Sequence, residues 1–246
     1  MIKLTIRLIF ISVILSSSVS AQFSDTIDYY VAANLAGNIN KTTASVNYLF
    51  NNGAKFSIQK DKLAFNTSNN WLYGENAGKL VNNDFTSSTD FNIYRKKNDR
   101  FNYWGLANYT SSYSLKIKKQ FQGGAGIAYK VIDNPGLMLR VSDGVLYETS
   151  NVVINDSTDQ VYNTFRNSLR IQCRYKFKKI LSFESAAFWQ PSLRYSNDYI
   201  VQVNAGLNLK LMKWLSFTSK FNYTRVSRTM RENMLITYGI ILEQYF

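Results

Sequence analysis

Across residues 163–178 the chain alternates in character residue by residue. Phe165, Asn167, Leu169, Ile171, Cys173, Tyr175 and Phe177 occupy one set of positions; Thr164, Arg166, Ser168, Arg170, Gln172, Arg174 and Lys176 occupy the other. Successive side chains of a β-strand point to opposite faces, so this period of two gives one apolar face and one bearing three arginines and a lysine. Two architectures accept such a strand. A soluble sandwich buries the apolar face between sheets, whereas a membrane barrel turns it to lipid and encloses the charged face.

The same alternation recurs along the chain. Segments at 28–39, 42–59, 63–73, 85–95, 101–109, 115–131, 137–147, 181–193, 199–211, 215–224 and 234–246 repeat the pattern of 163–178. The tenth is the cleanest, with Tyr199, Val201, Val203, Ala205, Leu207 and Leu209 against Gln202, Asn204, Gly206, Asn208 and Lys210. Asn52-Gly53 resembles a hairpin turn, but a turn there would set Phe50 opposite Lys55. One continuous strand with a glycine bulge keeps the faces matched.

The links between segments discriminate further. With both termini in the periplasm, the periplasmic links fall at 60–62, 96–100, 133–135, 178–180 and 212–213, all short. The external links at 75–83, 151–160, 194–198 and 227–233 are mostly longer, with 38–41 and 110–113 as exceptions. Such an asymmetry belongs to an outer-membrane barrel rather than a sandwich. The predicted fold is therefore all-β, a transmembrane antiparallel up-and-down β-barrel of about 12 strands, with 10 or 14 also compatible.

Residues 1–21 read as a secretory signal peptide, with Lys3 and Arg7, an apolar run from Leu8 to Leu15, and a small-residue site at Val19-Ser20-Ala21. A single barrel domain, 22–246, follows. Removing the leader lowers the formal charge from +13 to +11. No nucleic-acid motif accompanies that charge, which falls on alternating strand positions and turns, so no nucleic-acid partner is expected. Cys173 is the only cysteine, which excludes an intrachain disulfide. Histidine is absent, removing the commonest general base and zinc ligand together. No cofactor, metal or catalytic set is expected, and an outer-membrane hydrolase is disfavoured for lack of a base to activate Ser168 or Ser182.

Aromatics near segment ends on the apolar face, among them Trp71, Tyr73, Tyr129, Tyr147, Trp189 and Tyr199, match interfacial girdles. The chain closes on Phe246 with apolar residues at every second position before it, Gln244 excepted. That ending looks like the signal read by barrel-insertion machinery. The expected partners are outer-membrane lipid and that machinery, and the expected location is the outer membrane of a Gram-negative bacterium.

Gly37-Asn38-Ile39-Asn40-Lys41-Thr42, Trp71-Leu72-Tyr73-Gly74-Glu75, Gly124-Ala125-Gly126-Ile127-Ala128-Tyr129, Leu146-Tyr147-Glu148 and Arg166-Asn167-Ser168-Leu169-Arg170 occur in that order over nearly the whole mature chain. Together they resemble the domain of unknown function 481 (DUF481) family, also described as salt-induced outer-membrane protein. The resemblance implies an outer-membrane β-barrel without an established activity, and no functional residues.

Function then has to come from the lumen. A barrel of eight strands is filled by its own side chains and one of sixteen holds a water channel, so twelve lies between. The predicted inward set carries Lys116, Lys118, Arg140, Arg166, Arg170, Arg174 and Lys220 against Asp84, Asp90, Glu184 and Glu243. Two readings follow. In one, the basic wall selects small anionic solutes in a narrow pore or binding channel. In the other, Arg170 or Arg174 pairs with Glu184 and the barrel is a closed scaffold. A surface receptor or adhesin is a further alternative, with the 151–162 loop short for adhesion.

Overall fold

A computed structural model describes residues 29–41, 46–96, 99–154, 158–178 and 180–245, with the side chains at 40 and 243–245 excepted. The expected leader and Phe246 lie outside the described residues. The strands are β1 (Tyr29–Lys41), β2 (Val46–Lys60), β3 (Leu63–Asn76), β4 (Lys79–Tyr94), β5 (Phe101–Ser112), β6 (Ile117–Asp133) and β7 (Leu137–Ile154). They continue with β8 (Thr158–Asn167), β9 (Leu169–Phe177), β10 (Leu181–Pro191), β11 (Tyr199–Lys210), β12 (Leu215–Val226) and β13 (Arg231–Tyr245).

Strands adjacent in the chain pair antiparallel, β6 with β7 included, and β1 closes on β13 through Tyr30↔Tyr245 to Ala36↔Gly239. β8 and β9 are two halves of one strand interrupted at Ser168. β7 pairs with both in a single register, from Val145↔Asn167 to Ser142↔Arg170. The wall is thus a closed barrel of twelve strands, the expected architecture, and closure leaves no unpaired edge.

Burial is inverted relative to a soluble protein. Leu35, Ile171, Phe217 and Ile236 are exposed on the outer face, while Asn34, Asn51, Asn102, Gln122, Glu148 and Arg166 are buried inside. Polar groups taken from water need hydrogen-bond partners, and here the enclosed interior supplies them. The outer wall, rich in leucine, isoleucine and aromatics, has no protein layer over it among the described residues and suits hydrocarbon.

Of the alternation expected for 42–59, residues 42–45 lie outside the described residues and 46–59 lie in one unbroken strand, β2. Its register with β1 and β3 runs through Gly53 without a shift, so the expected glycine bulge is absent. Gly53 is accommodated in a flat ladder because its missing side chain leaves room for Asn70 and Asn34. Shifts in register occur elsewhere, at Gly74/Glu75, Thr110/Ser112, Ile117/Lys119 and Lys130/Ile132.

The expected long external links are also shorter than the sequence suggests. β3 and β4 meet through Ala77 and Gly78, both at positive φ (51° and 74°), in a tight turn where 75–83 reads as a loop. Alanine rarely takes that conformation, and the Ala77 amide donates to Asn47 Oδ1 at 3.0 Å, which anchors the turn. Likewise β7 runs to Ile154 and β8 starts at Thr158, so most of 151–160 is strand. Polar residues there continue the ladder above the apolar belt instead of leaving it, and loop polarity is therefore a poor guide to strand ends.

Packing differs between the two ends of the lumen. At the end away from the termini, Leu115, Ile117, Val152, Tyr162, Ile200 and Val226 form a buried cluster with Ile154 and Tyr195 against it. Leu115 and Ile117 read as outward in the sequence. The Ile117/Lys119 bulge shifts the register between β6 and β7, so Ile117 turns inward and Lys118 turns out.

Candidate functional site

Beneath that apolar cluster lies a buried charge network centred on Arg166 of β8. Its guanidinium forks onto Glu148 of β7, with Nε donating to Oε2 at 2.7 Å and Nη2 to Oε1 at 2.9 Å. Nη2 also donates to Asp198 Oδ1 at 2.9 Å, and Nη1 reaches the Gln190 carbonyl at 3.3 Å. Glu148 accepts further bonds from Tyr162 OH (2.7 Å), Gln122 Nε2 (2.7 Å) and Ser150 Oγ (3.2 Å). Asp198 binds Arg228 through Nη2 at 2.8 Å, and that guanidinium stacks 3.9 Å from the Tyr162 ring centroid.

Two arginines therefore face two carboxylates, and the network is neutral and fully bonded at its centre. Buried charges persist only when paired in this way. Asp198 ends the 192–198 link between β10 and β11, so the network ties that link into the lumen. Ser192 Oγ strengthens the tie by capping the Arg194 and Tyr195 amides and meeting Thr164 Oγ1 at 2.7 Å.

Towards the termini the lumen opens into a cavity of about 490 Å³. Lys55, Arg170, Arg174 and Lys220 line it against one lining carboxylate, Glu184. Arg174 pairs with Glu184 across β9 and β10 at 2.7 Å. Arg170 lies 4.9 Å over the Phe188 ring, and its Nε is buried without a hydrogen-bond partner among the described residues. Lys220 donates to Asn34 Oδ1 at 2.9 Å. A second cavity of about 280 Å³, nearer the termini, shares Gln172 and Arg174 with the first and adds Lys130, Arg140 and Lys176.

The sequence-predicted lumen residues thus separate. Arg170, Arg174, Lys220 and Glu184 gather at the larger cavity, Arg140 lines the smaller one and donates to Tyr94 OH at 3.1 Å, and Arg166 lies in the neutral network. Asp84 accepts from Ser112 Oγ, Ser114 Oγ and Asn82 Nδ2, and Asp90 from Asn66 and Asn92. Lys118 is a correction: it faces outward at the rim and bridges to Asp159 at 2.6 Å. Lys116 sits in the turn between β5 and β6, 5.3 Å over Tyr113, rather than on the lumen wall. Glu243 pairs with Ala32 in the backbone register, and its side chain lies outside the description.

Sequence reasoning missed Lys55, Glu148, Tyr162, Asp198 and Arg228. Glu148 carried a usable signal, an acid on the inward parity of a strand neighbouring the arginine-rich one. Asp198 and Arg228 lie in links that read as external loops. Among the described residues no three metal-binding side chains come together.

The family model described as "Protein of unknown function, DUF481" matches residues 15–235. No curated protein matches the sequence. Among solved structures, the NanC porin is similar at a TM-score of 0.52 and 8% identity, covering 88% of this chain and 99% of its own. An outer-membrane channel from Pseudomonas putida F1 gives 0.53 at 9% identity, with 93% and 100% covered. The translocator domain of the autotransporter NalP from Neisseria meningitidis gives 0.52 at 11% identity, with 89% of each covered. At these identities the likeness is one of fold, and the fold is that of outer-membrane barrels.

Proposed function

The chain belongs to the DUF481 family, and we propose that it acts as an outer-membrane channel whose basic lower lumen favours small anionic solutes. The carrying observation is the 490 Å³ cavity in which Lys55, Arg170, Arg174 and Lys220 face Glu184 alone. A low-dielectric wall of one sign concentrates counter-ions and discriminates against co-ions. The similar solved structures include a porin and a channel, which supports transport rather than catalysis.

The Arg166 network and the apolar cluster close the opposite end, so the resting barrel conducts poorly and passage requires the 192–198 link to move. That same closure favours the second reading, a structural barrel that never opens. On either reading, residues 1–21 direct export, lipid surrounds the apolar wall, and Phe246 is presented to insertion machinery in a Gram-negative outer membrane.

Planar-bilayer recording of the purified protein under a salt gradient tests this. The expected result is sparse openings with an anion-selective reversal potential that moves towards zero in Lys55→Gln, Arg170→Gln and Lys220→Gln. Cation selectivity, or openings indifferent to these substitutions, contradicts anion selection. Silence in both the wild type and an Asp198→Asn variant supports the closed scaffold.

A further inference from the structure

The outer wall carries a polar patch where its neighbours are apolar. In β3, Thr67 and Asn69 occupy the outward parity between Phe65 on one side and Trp71 on the other. In β4, Ser87 and Thr89 do the same between Phe85 and Phe91. The register sets Thr67 against Thr89 and Asn69 against Ser87, so four polar side chains meet near mid-height on adjacent strands. Thr67 and Thr89 share one hydrogen bond, Oγ1 to Oγ1 at 3.2 Å. Asn69 is exposed, and its carboxamide has no hydrogen-bond partner among the described residues.

Elsewhere the outer wall handles polarity differently. Asp143 takes the Asn167 amide at 2.8 Å, a local pair, and Ser219 stands singly between Leu207 and Tyr238. Thr149 against Asn163 lies beyond the Tyr147 and Phe165 rings towards the external rim, so the patch on β3 and β4 is distinct in being clustered near mid-height and incompletely bonded. Hydrocarbon offers no donors or acceptors, so a carboxamide left open at mid-height is costly unless protein covers it.

We infer that this face, centred on Asn69 and Ser87, is where a second copy of the same chain docks in the membrane. Each hydroxyl or carboxamide there both donates and accepts, so the patch is complementary to itself across a two-fold axis and needs no surface of a second kind. Its borders permit close approach. Ala54 lies beside Asn69, Ala107 beside Thr89, and the Phe91 ring packs against Gly105. This inference rests on the membrane placement of the barrel and is independent of what the lumen conducts.

Cysteine cross-linking in outer membranes tests it, with Asn69→Cys placed in a Cys173→Ser background. A short thiol cross-linker is expected to give a band of twice the monomer mass, and Ser219→Cys on β12, four strands away around the wall, is expected to give none. Equal dimer from both sites, monomer alone from Asn69→Cys, or a product containing a different protein overturns the proposal. An Asn69→Leu, Thr89→Val double variant keeps the fold, checked by its heat-modifiable gel mobility. It is expected to lose the dimer that the proposal expects of the wild type in mild detergent. A dimer that persists unchanged in this variant likewise overturns it.

Discussion

Arg166 and Glu148, on neighbouring strands, meet as a two-pronged ion pair with neither side chain exposed to solvent. A guanidinium fork matches a carboxylate geometrically, and desolvation makes each partner dependent on the other. Removing one partner strands a buried charge. Glu148→Ala is therefore expected to destabilise the barrel by about 3–5 kcal/mol. Urea unfolding from lipid vesicles, followed by tryptophan fluorescence, measures this, and a cost near that of a surface substitution would place the pair in water.

The same network holds the 192–198 link through Asp198, which binds Arg166 on one side and Arg228 on the other. Asp198→Asn loses the charge on which both arginines converge. The expected outcome is more frequent opening with little change in anion preference, because the lower cavity is untouched. Single-channel recording reads both quantities in one experiment.

Trp104 lies inside the barrel across Gly126 and Gly144, which oppose each other on β6 and β7. A Cβ on Gly126 would fall 2.2 Å from the Asp143 carbonyl oxygen and 2.5 Å from Trp104 Cζ2. Gly126→Ala is expected to cost about 1–3 kcal/mol through overpacking and backbone displacement. A shifted Trp104 emission maximum together with a lowered unfolding midpoint would register both effects.

Leu207 faces outward on β11, exposed in the isolated chain and placed for hydrocarbon in a membrane. Leu207→Arg, three residues from the end of β11 and so between the midplane and the interface, is expected to destabilise the inserted barrel by about 1–2 kcal/mol. Equilibrium unfolding from vesicles quantifies this, and a neutral effect would deny lipid contact at that position.

Sequence periodicity was sufficient for the wall because strand parity is a local property. Tyr199–Lys210 coincides with the cleanest alternating segment, and 163–178 forms consecutive halves β8 and β9 on one register. Parity fails where a bulge intervenes, and the Ile117/Lys119 shift sent Lys118 outward with nothing in its immediate neighbours to announce it. Strand ends were equally obscure around Ala77, since polar residues serve a ladder above the membrane as readily as a loop. The Arg166 network joins residues 18 and 32 positions apart, and such pairings depend on which strands become neighbours and how far a link folds inward. Local composition carries neither fact.

The apolar side of each strand faces lipid while the polar side lines an enclosed interior, and every other feature of the barrel follows from this arrangement. Single cysteines from Val201 to Asn208 on β11, in a Cys173→Ser background and carrying a fluorescent probe in vesicles, test it directly. Lipid-borne quenchers are expected to reach positions 201, 203, 205 and 207 and to spare 202, 204 and 208, giving a period of two. A uniform response along the strand, or a polypeptide that remains soluble and monomeric without detergent, would contradict it.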